Sequence, residues 1–232
     1  MLPRISILLF VSLLAFNTRA QQVVDVDKYE GNAMNFFKAV GGEPIGNTKF
    51  VRLVEGSPYY FDDWKKGDVE IESSQYKNIS LRLNILETTL EFKDRKGDVM
   101  VCTQPVKRVV LRDSANGTSY SFVHSSFLPA SPDTKNAWLM ELVAGKASLY
   151  KLTKKSVNEV SPYGSATKEQ HILTNYNYYL LQNNTITRVK KTSELAELLS
   201  DKRSELQEFI KTNKLSNKEG DMITLVQHYN SL

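Results

Sequence analysis

Residue types that do most protein chemistry are scarce in this chain of 232 residues, which holds three histidines and one cysteine. His124, His171 and His228 fall in three separate segments, and none has a second histidine at helical ligand spacing. A histidine without converging partners reads as a surface or core residue rather than a metal ligand or a base. Cys102 ends an apolar run, Val99-Met100-Val101-Cys102, where burial disfavours the thiolate and the side chain acts as a small hydrophobe. The chain has no G-x-S-x-G elbow, no G-x-x-x-x-G-K phosphate loop and no G-x-G-x-x-G fingerprint. Asp94-Arg95-Lys96-Gly97-Asp98 carries two acids but lacks the ligand ladder and terminal glutamate of a calcium loop, and reads as a solvated hairpin turn. The sequence therefore assigns no catalytic residue, no metal site and no cofactor.

The most distinctive segment is Gly56-Ser57-Pro58-Tyr59-Tyr60-Phe61-Asp62-Asp63-Trp64-Lys65-Lys66-Gly67, with four aromatics and two acids in six consecutive positions. Aromatic faces stack on the C–H surfaces of sugars while carboxylates accept from hydroxyls. On that reading Tyr59, Tyr60, Phe61, Asp62 and Trp64 form a ligand-binding patch. On the competing reading the same rings plug one end of a β-domain, since aromatics supply large buried area. A pair of carboxylates, such as Asp62 or Asp63 with a distant acid, would suit glycoside hydrolysis, which leaves no short sequence motif.

Period-two patterning indicates the elements that must position this segment. Residues 21–48 form a lead-in, with a short helix expected over Asn32–Val40 and stopped by Gly41-Gly42-Glu43-Pro44. Residues 49–190 read as an antiparallel β domain. Ile79, Leu81, Leu83 and Ile85 alternate onto one face, and Asn116-Gly117, Ala144-Gly145-Lys146 and Asn183-Asn184 mark hairpin turns. Residues 158–175 are polar and read as a loop. From 191 to 232 the period changes to that of three amphipathic helices, striped by Leu195, Leu198 and Leu199, by Leu206, Phe209 and Ile210, and by Met222, Leu225, Val226 and Tyr229. Ser216 and Glu219 have the spacing of a capping box. The expected fold class is α+β, mainly β: an antiparallel sandwich or open barrel followed by a C-terminal group of about three short helices.

The first twenty residues read as an export signal. Arg4 precedes an apolar run, Ile5–Phe16, too short to span a bilayer, and Thr18 and Ala20 place small side chains before a cut at Ala20-Gln21. Cleavage removes Arg4 and Arg19 and no acid, which halves the formal net charge of +4. A nearly neutral chain has no long-range attraction for nucleic acid. No later apolar run is long enough for a transmembrane segment, so the mature chain is expected to be soluble. A single cysteine permits no intramolecular disulfide, which suits a bacterial periplasm better than a eukaryotic secretory route.

The stretch from Gly56-Ser57-Pro58-Tyr59 to Lys66-Gly67-Asp68-Val69, with Tyr76-Lys77-Asn78-Ile79-Ser80-Leu81-Arg82-Leu83-Asn84, resembles a β-strand run in uncharacterised exported proteins of Bacteroidota. Asp201–Leu206, Phe209–Leu215 and Leu225–Asn230 resemble the helical tails of the same proteins. The resemblance implies the periplasm or cell surface of a Gram-negative bacterium and carries over no catalytic residue. The expected function is a non-enzymatic binding or envelope-interaction module, with an envelope glycan or another envelope protein as partner. The alternative is a carboxylate-dependent hydrolase acting on envelope glycans.

Overall fold

The computed structural model describes residues 21–28, 30–45, 52–72, 74–163 and 167–232. The expected leader, residues 1–20, and the first residues of the expected β domain, 49–51, lie outside them. The chain enters as β1 (Gln22–Asp25), α1 (Glu30–Val40) and β2 (Glu43–Pro44). A run of strands follows: β3 (Leu53–Glu55), β4 (Lys65–Ile71), β5 (Ser74–Asn84), β6 (Thr89–Lys93), β7 (Val99–Val101), β8 (Arg108–Asp113) and β9 (Thr118–His124). Then come β10 (Trp138–Val143), β11 (Ser148–Val160), β12 (Glu169–Gln182) and β13 (Thr185–Val189). The chain closes on α2 (Thr192–Leu198), α3 (Arg203–Thr212) and α4 (Glu219–Ser231). The protein is mainly β, and three of its four described α-helices stand at the C-terminus while α1 stands in the lead-in.

One sheet runs through the chain in the order β13-β12-β11-β10-β9-β8-β4-β5-β6-β7-β2, antiparallel along that path. It is not purely antiparallel as expected, because β1 joins β5 and β3 joins β12 in parallel. Nor does it begin at residue 49, since β1 and β2 belong to the lead-in. Both additions satisfy backbone groups on strands whose other partners stop short: β6 pairs with β5 only over Leu81–Asn84, which leaves Ser74–Lys77 for β1.

The expected turns form where their chemistry requires. Gly117 adopts φ +70°, and the Asn116 side chain accepts from the Thr118 amide at 2.9 Å, closing β8 onto β9. Asn183 and Asn184 both take left-handed φ, as a two-residue hairpin between β12 and β13 demands.

Alternation in β5 buries Ile79, Leu81, Leu83 and Ile85 in one core, together with Phe92, Val109, Leu111, Phe122 and two residues of α1, Phe36 and Val40. A second core lies under the C-terminal helices: Leu149 and Leu180 of the sheet meet Leu195, Leu199, Leu206, Met222, Leu225, Val226 and Tyr229. A smaller third cluster joins Val123, Leu139, Tyr150, Leu152 and Tyr179. By register Leu139, Tyr150 and Tyr179 share one face, and Met140, Leu149 and Leu180 the other.

Three expectations need correction. Residues 158–175 are not all loop: β11 runs to Val160 and β12 starts at Glu169, so the two strands pair as a long hairpin and only the described residues between them lack strand. Its outer part is polar because solvent reaches most of it, and without a buried face there is no alternating signal to read. Leu198 is exposed rather than part of the α2 stripe, because this seven-residue helix turns Leu195, Ala196 and Leu199 inward instead. The capping box does not form. Lys218 occupies the cap position, Ser216 donates through its amide and hydroxyl to Asp221, and the Glu219 carboxylate pairs with Lys151 at 2.6 Å.

Candidate functional site

The predicted aromatic patch does not form one surface. Its backbone lies along the end of β5: the Tyr60 amide donates to the Leu83 carbonyl at 2.9 Å, and the Ile85 amide donates to that of Pro58 at 2.9 Å. Lys155 of β11 reaches across to donate to the Ser57 and Tyr59 carbonyls. That anchoring sorts the side chains into two groups.

Tyr60 and Phe61 turn inward and pack on the first core. The Tyr60 ring meets Phe122 edge-on at 4.8 Å and Phe61 at 4.9 Å, and Phe61 meets Tyr120 at 5.0 Å. The Tyr60 hydroxyl reaches the Met140 Sδ at 3.2 Å. Burial, with the Glu219 charge adding to it, pushes the Tyr60 phenol up to about 12.

Tyr59 and Trp64 lie on the other side of β5, over Arg82. The guanidinium carbon is 3.7 Å from the Tyr59 ring centroid and 4.6 Å from that of Trp64. Arg82 donates to the Glu91 carboxylate from Nε at 3.0 Å and Nη2 at 2.8 Å, and to the Tyr59 hydroxyl at 2.9 Å. Burial raises the Tyr59 phenol above its ordinary value, and the Glu91 charge adds to the rise. Lys93 stands over the Trp64 ring at 4.9 Å, so two cations already occupy that ring.

Asp62 and Asp63 are both exposed. Lys65 pairs with Asp63 at 2.9 Å, which lowers its carboxyl below the usual range. Neither acid lines any cleft described below, so the loop itself offers no facing carboxylate pair.

A groove that the sequence did not single out begins beside Lys93. It lies between α1 and the β6–β7 turn and has two lobes, of about 560 Å³ and 340 Å³, which share Phe37, Asp94 and Arg95. Its floor is aromatic: Phe37 stacks on Phe92 at 5.8 Å, and Phe36 meets Phe92 edge-on at 5.4 Å. Lys28, Lys66, Lys93, Arg95 and Lys96 rim it, against two carboxylates, Asp27 and Asp94. Asp27 pairs with Lys66 at 3.2 Å and Lys28 with Asp25 at 3.9 Å, so two of these cations are partnered as well, while Asp94 accepts from the Lys96 and Asp98 amides at 2.8 Å and 2.9 Å. Five cations against two acids in the lining still leave the groove a positive field. The available sequence signal was the basic run Lys93-Asp94-Arg95-Lys96. It is indeed a turn, but one that a helix ending 53 residues earlier in the chain, at Val40, converts into a groove wall.

The remaining reactive groups are held quietly. Cys102 donates to the Val40 carbonyl at 3.3 Å, and burial pushes its thiol up to about 11. The His124 Nδ1 caps a short turn, accepting from the Ser126 amide at 3.4 Å and lying 2.8 Å from its hydroxyl. His171 lies 3.2 Å from Glu55, and His228 stacks on Phe209. Among the described residues no group of three or more His, Cys, Asp or Glu side chains could hold a metal ion, and no helix is long and apolar enough to cross a membrane. No protein family, curated protein or solved structure matches the chain.

Proposed function

We propose that this protein is an exported, non-enzymatic binding module of a Gram-negative cell envelope, and that its ligand is an acidic glycan. The leader-like residues 1–20 and the resemblance to exported Bacteroidota proteins support the location. One observation carries the ligand: the groove between α1 and the β6–β7 turn combines a phenylalanine floor with an excess of cations, five against two carboxylates. A sugar ring stacks its C–H face on Phe37, and its acid groups meet Arg95 and Lys96 at the turn. Within the aromatic segment, Trp64 belongs to the margin of this site through Lys93, and Tyr60 and Phe61 belong to the fold. The carboxylate-hydrolase alternative gains no support from the exposed, separately held Asp62 and Asp63.

The test is calorimetric titration with oligogalacturonate and with its neutral methyl ester. Binding of the acid, loss with the ester, and a weakening of about tenfold for each of Arg95→Ala and Lys96→Ala is the expected pattern. Equal binding of acid and ester, or acid binding indifferent to both substitutions, would exclude this groove as the acidic site.

A further inference from the structure

The outer half of the β11–β12 hairpin is built like an unfinished sheet. β10 pairs with β11 only as far as Leu152, whereas β12 pairs with it all the way to Val160. Among the described residues no strand covers the other side of β11 beyond Leu152; Thr153 is buried and Lys155 half-buried against the 57–59 segment, so the open part of this edge is about 17 Å long. Residues 156–160 are all exposed. Exposed apolar side chains also collect here. Of the thirteen large hydrophobics exposed among the described residues, seven lie on this arm or on β3 beside it: Leu53, Val54, Val157, Val160, Tyr163, Leu173 and Tyr176. A long free edge with apolar neighbours is a template for another strand.

We infer that this edge pairs antiparallel with the same edge of a second copy, about a two-fold axis through Val157. The sequence of the edge selects both occupant and register. Centred on Val157, the two strands place Val157 against Val157, Ser156 against Asn158 and Lys154 against Val160, and bring Lys155, whose amine the Ser57 and Tyr59 carbonyls hold, opposite Glu159, which Lys168 pairs, twice. No like charges face each other. Centring on Lys155 would oppose two lysines, and centring on Ser156 or Asn158 would leave Val157 facing Lys155 or Glu159. Only the Val157 register joins an apolar self-contact to opposite charges. It is an isologous contact, so it closes at two copies and does not propagate. Val157 sits on the face of Ile172, which Gly56 closely approaches and which is itself buried, so the paired edges extend a surface that the protein has begun to bury.

Light scattering on the purified protein, with cysteine scanning in a Cys102→Ser background, tests this. The expected mass is twice that of the chain and falls to that of one chain in Val157→Lys, with unchanged circular dichroism. Under mild oxidation Val157→Cys links to itself, because that position alone faces its own copy, whereas Asn158→Cys, which faces Ser156, does not. A single-chain mass at every concentration, a dimer that survives Val157→Lys, or equal linking at 157 and 158 would overturn the proposal.

Discussion

Arg82 and Glu91 face each other across β5 and β6 with Nη2 2.8 Å from Oε2, and the Glu91 side chain is only 3% exposed. The pair lies under Tyr59 and Trp64, so the aromatic segment acts as a cover for a buried ion pair. A buried charge left without its partner costs far more than the intact pair contributes. Glu91→Met or Arg82→Met alone should lower the stability read by urea denaturation by about 3 kcal/mol, while the two together should cost clearly less than the two losses added. Additive losses would show that the two charges are solvated independently.

The two halves of the aromatic segment should separate under substitution. Tyr60→Ala removes a ring wedged between Phe61 and Phe122, and should destabilise the protein by about 3 kcal/mol. Trp64→Ala uncovers Arg82 and Lys93 without opening the core, and should cost about 1 kcal/mol while weakening acidic ligands at the neighbouring groove. Thermal melts give the first comparison and titration the second. An unfolded Trp64→Ala would place this ring in the core as well.

His124 ties stability to mild acid. Burial lowers its imidazole below the ordinary value of about 6.5, so at pH 6 the unfolded chain binds more protons than the folded one. Stability from this group is therefore present above about pH 6.5 and declines as pH falls from there toward the lowered folded value. His124→Asn keeps an acceptor for the Ser126 amide and removes the titration. Chemical denaturation at pH 7.5 and pH 5.5 should show a smaller acid loss in the variant; an identical loss would assign the slope to other groups.

Much of the architecture was legible because local patterns and tertiary burial agreed. Ile79, Leu81, Leu83 and Ile85 alternate and are all buried, and Asn116-Gly117 turns where a hairpin needs left-handed backbone. Patterns misled where a side chain had a stronger distant partner or none. Glu219 has capping spacing but spends its carboxylate on Lys151 and Tyr178 from the sheet. Residues 153–160 carry no hydrophobic period because little of the arm is buried, and yet they pair over their whole length with β12.

The sequence by itself determined the mainly β class, the hairpin positions, the helical C-terminus and the inert setting of Cys102, since each follows from periodicity, turn chemistry or burial within a few neighbouring residues. Only the tertiary structure decided which of Tyr59, Tyr60, Phe61, Asp62 and Trp64 face inward, that α1 and a basic turn enclose a groove, and that β11 keeps a free edge. Those outcomes depend on contacts between segments tens of residues apart, and the spacing of residues along a chain carries no record of which distant surface will cover them.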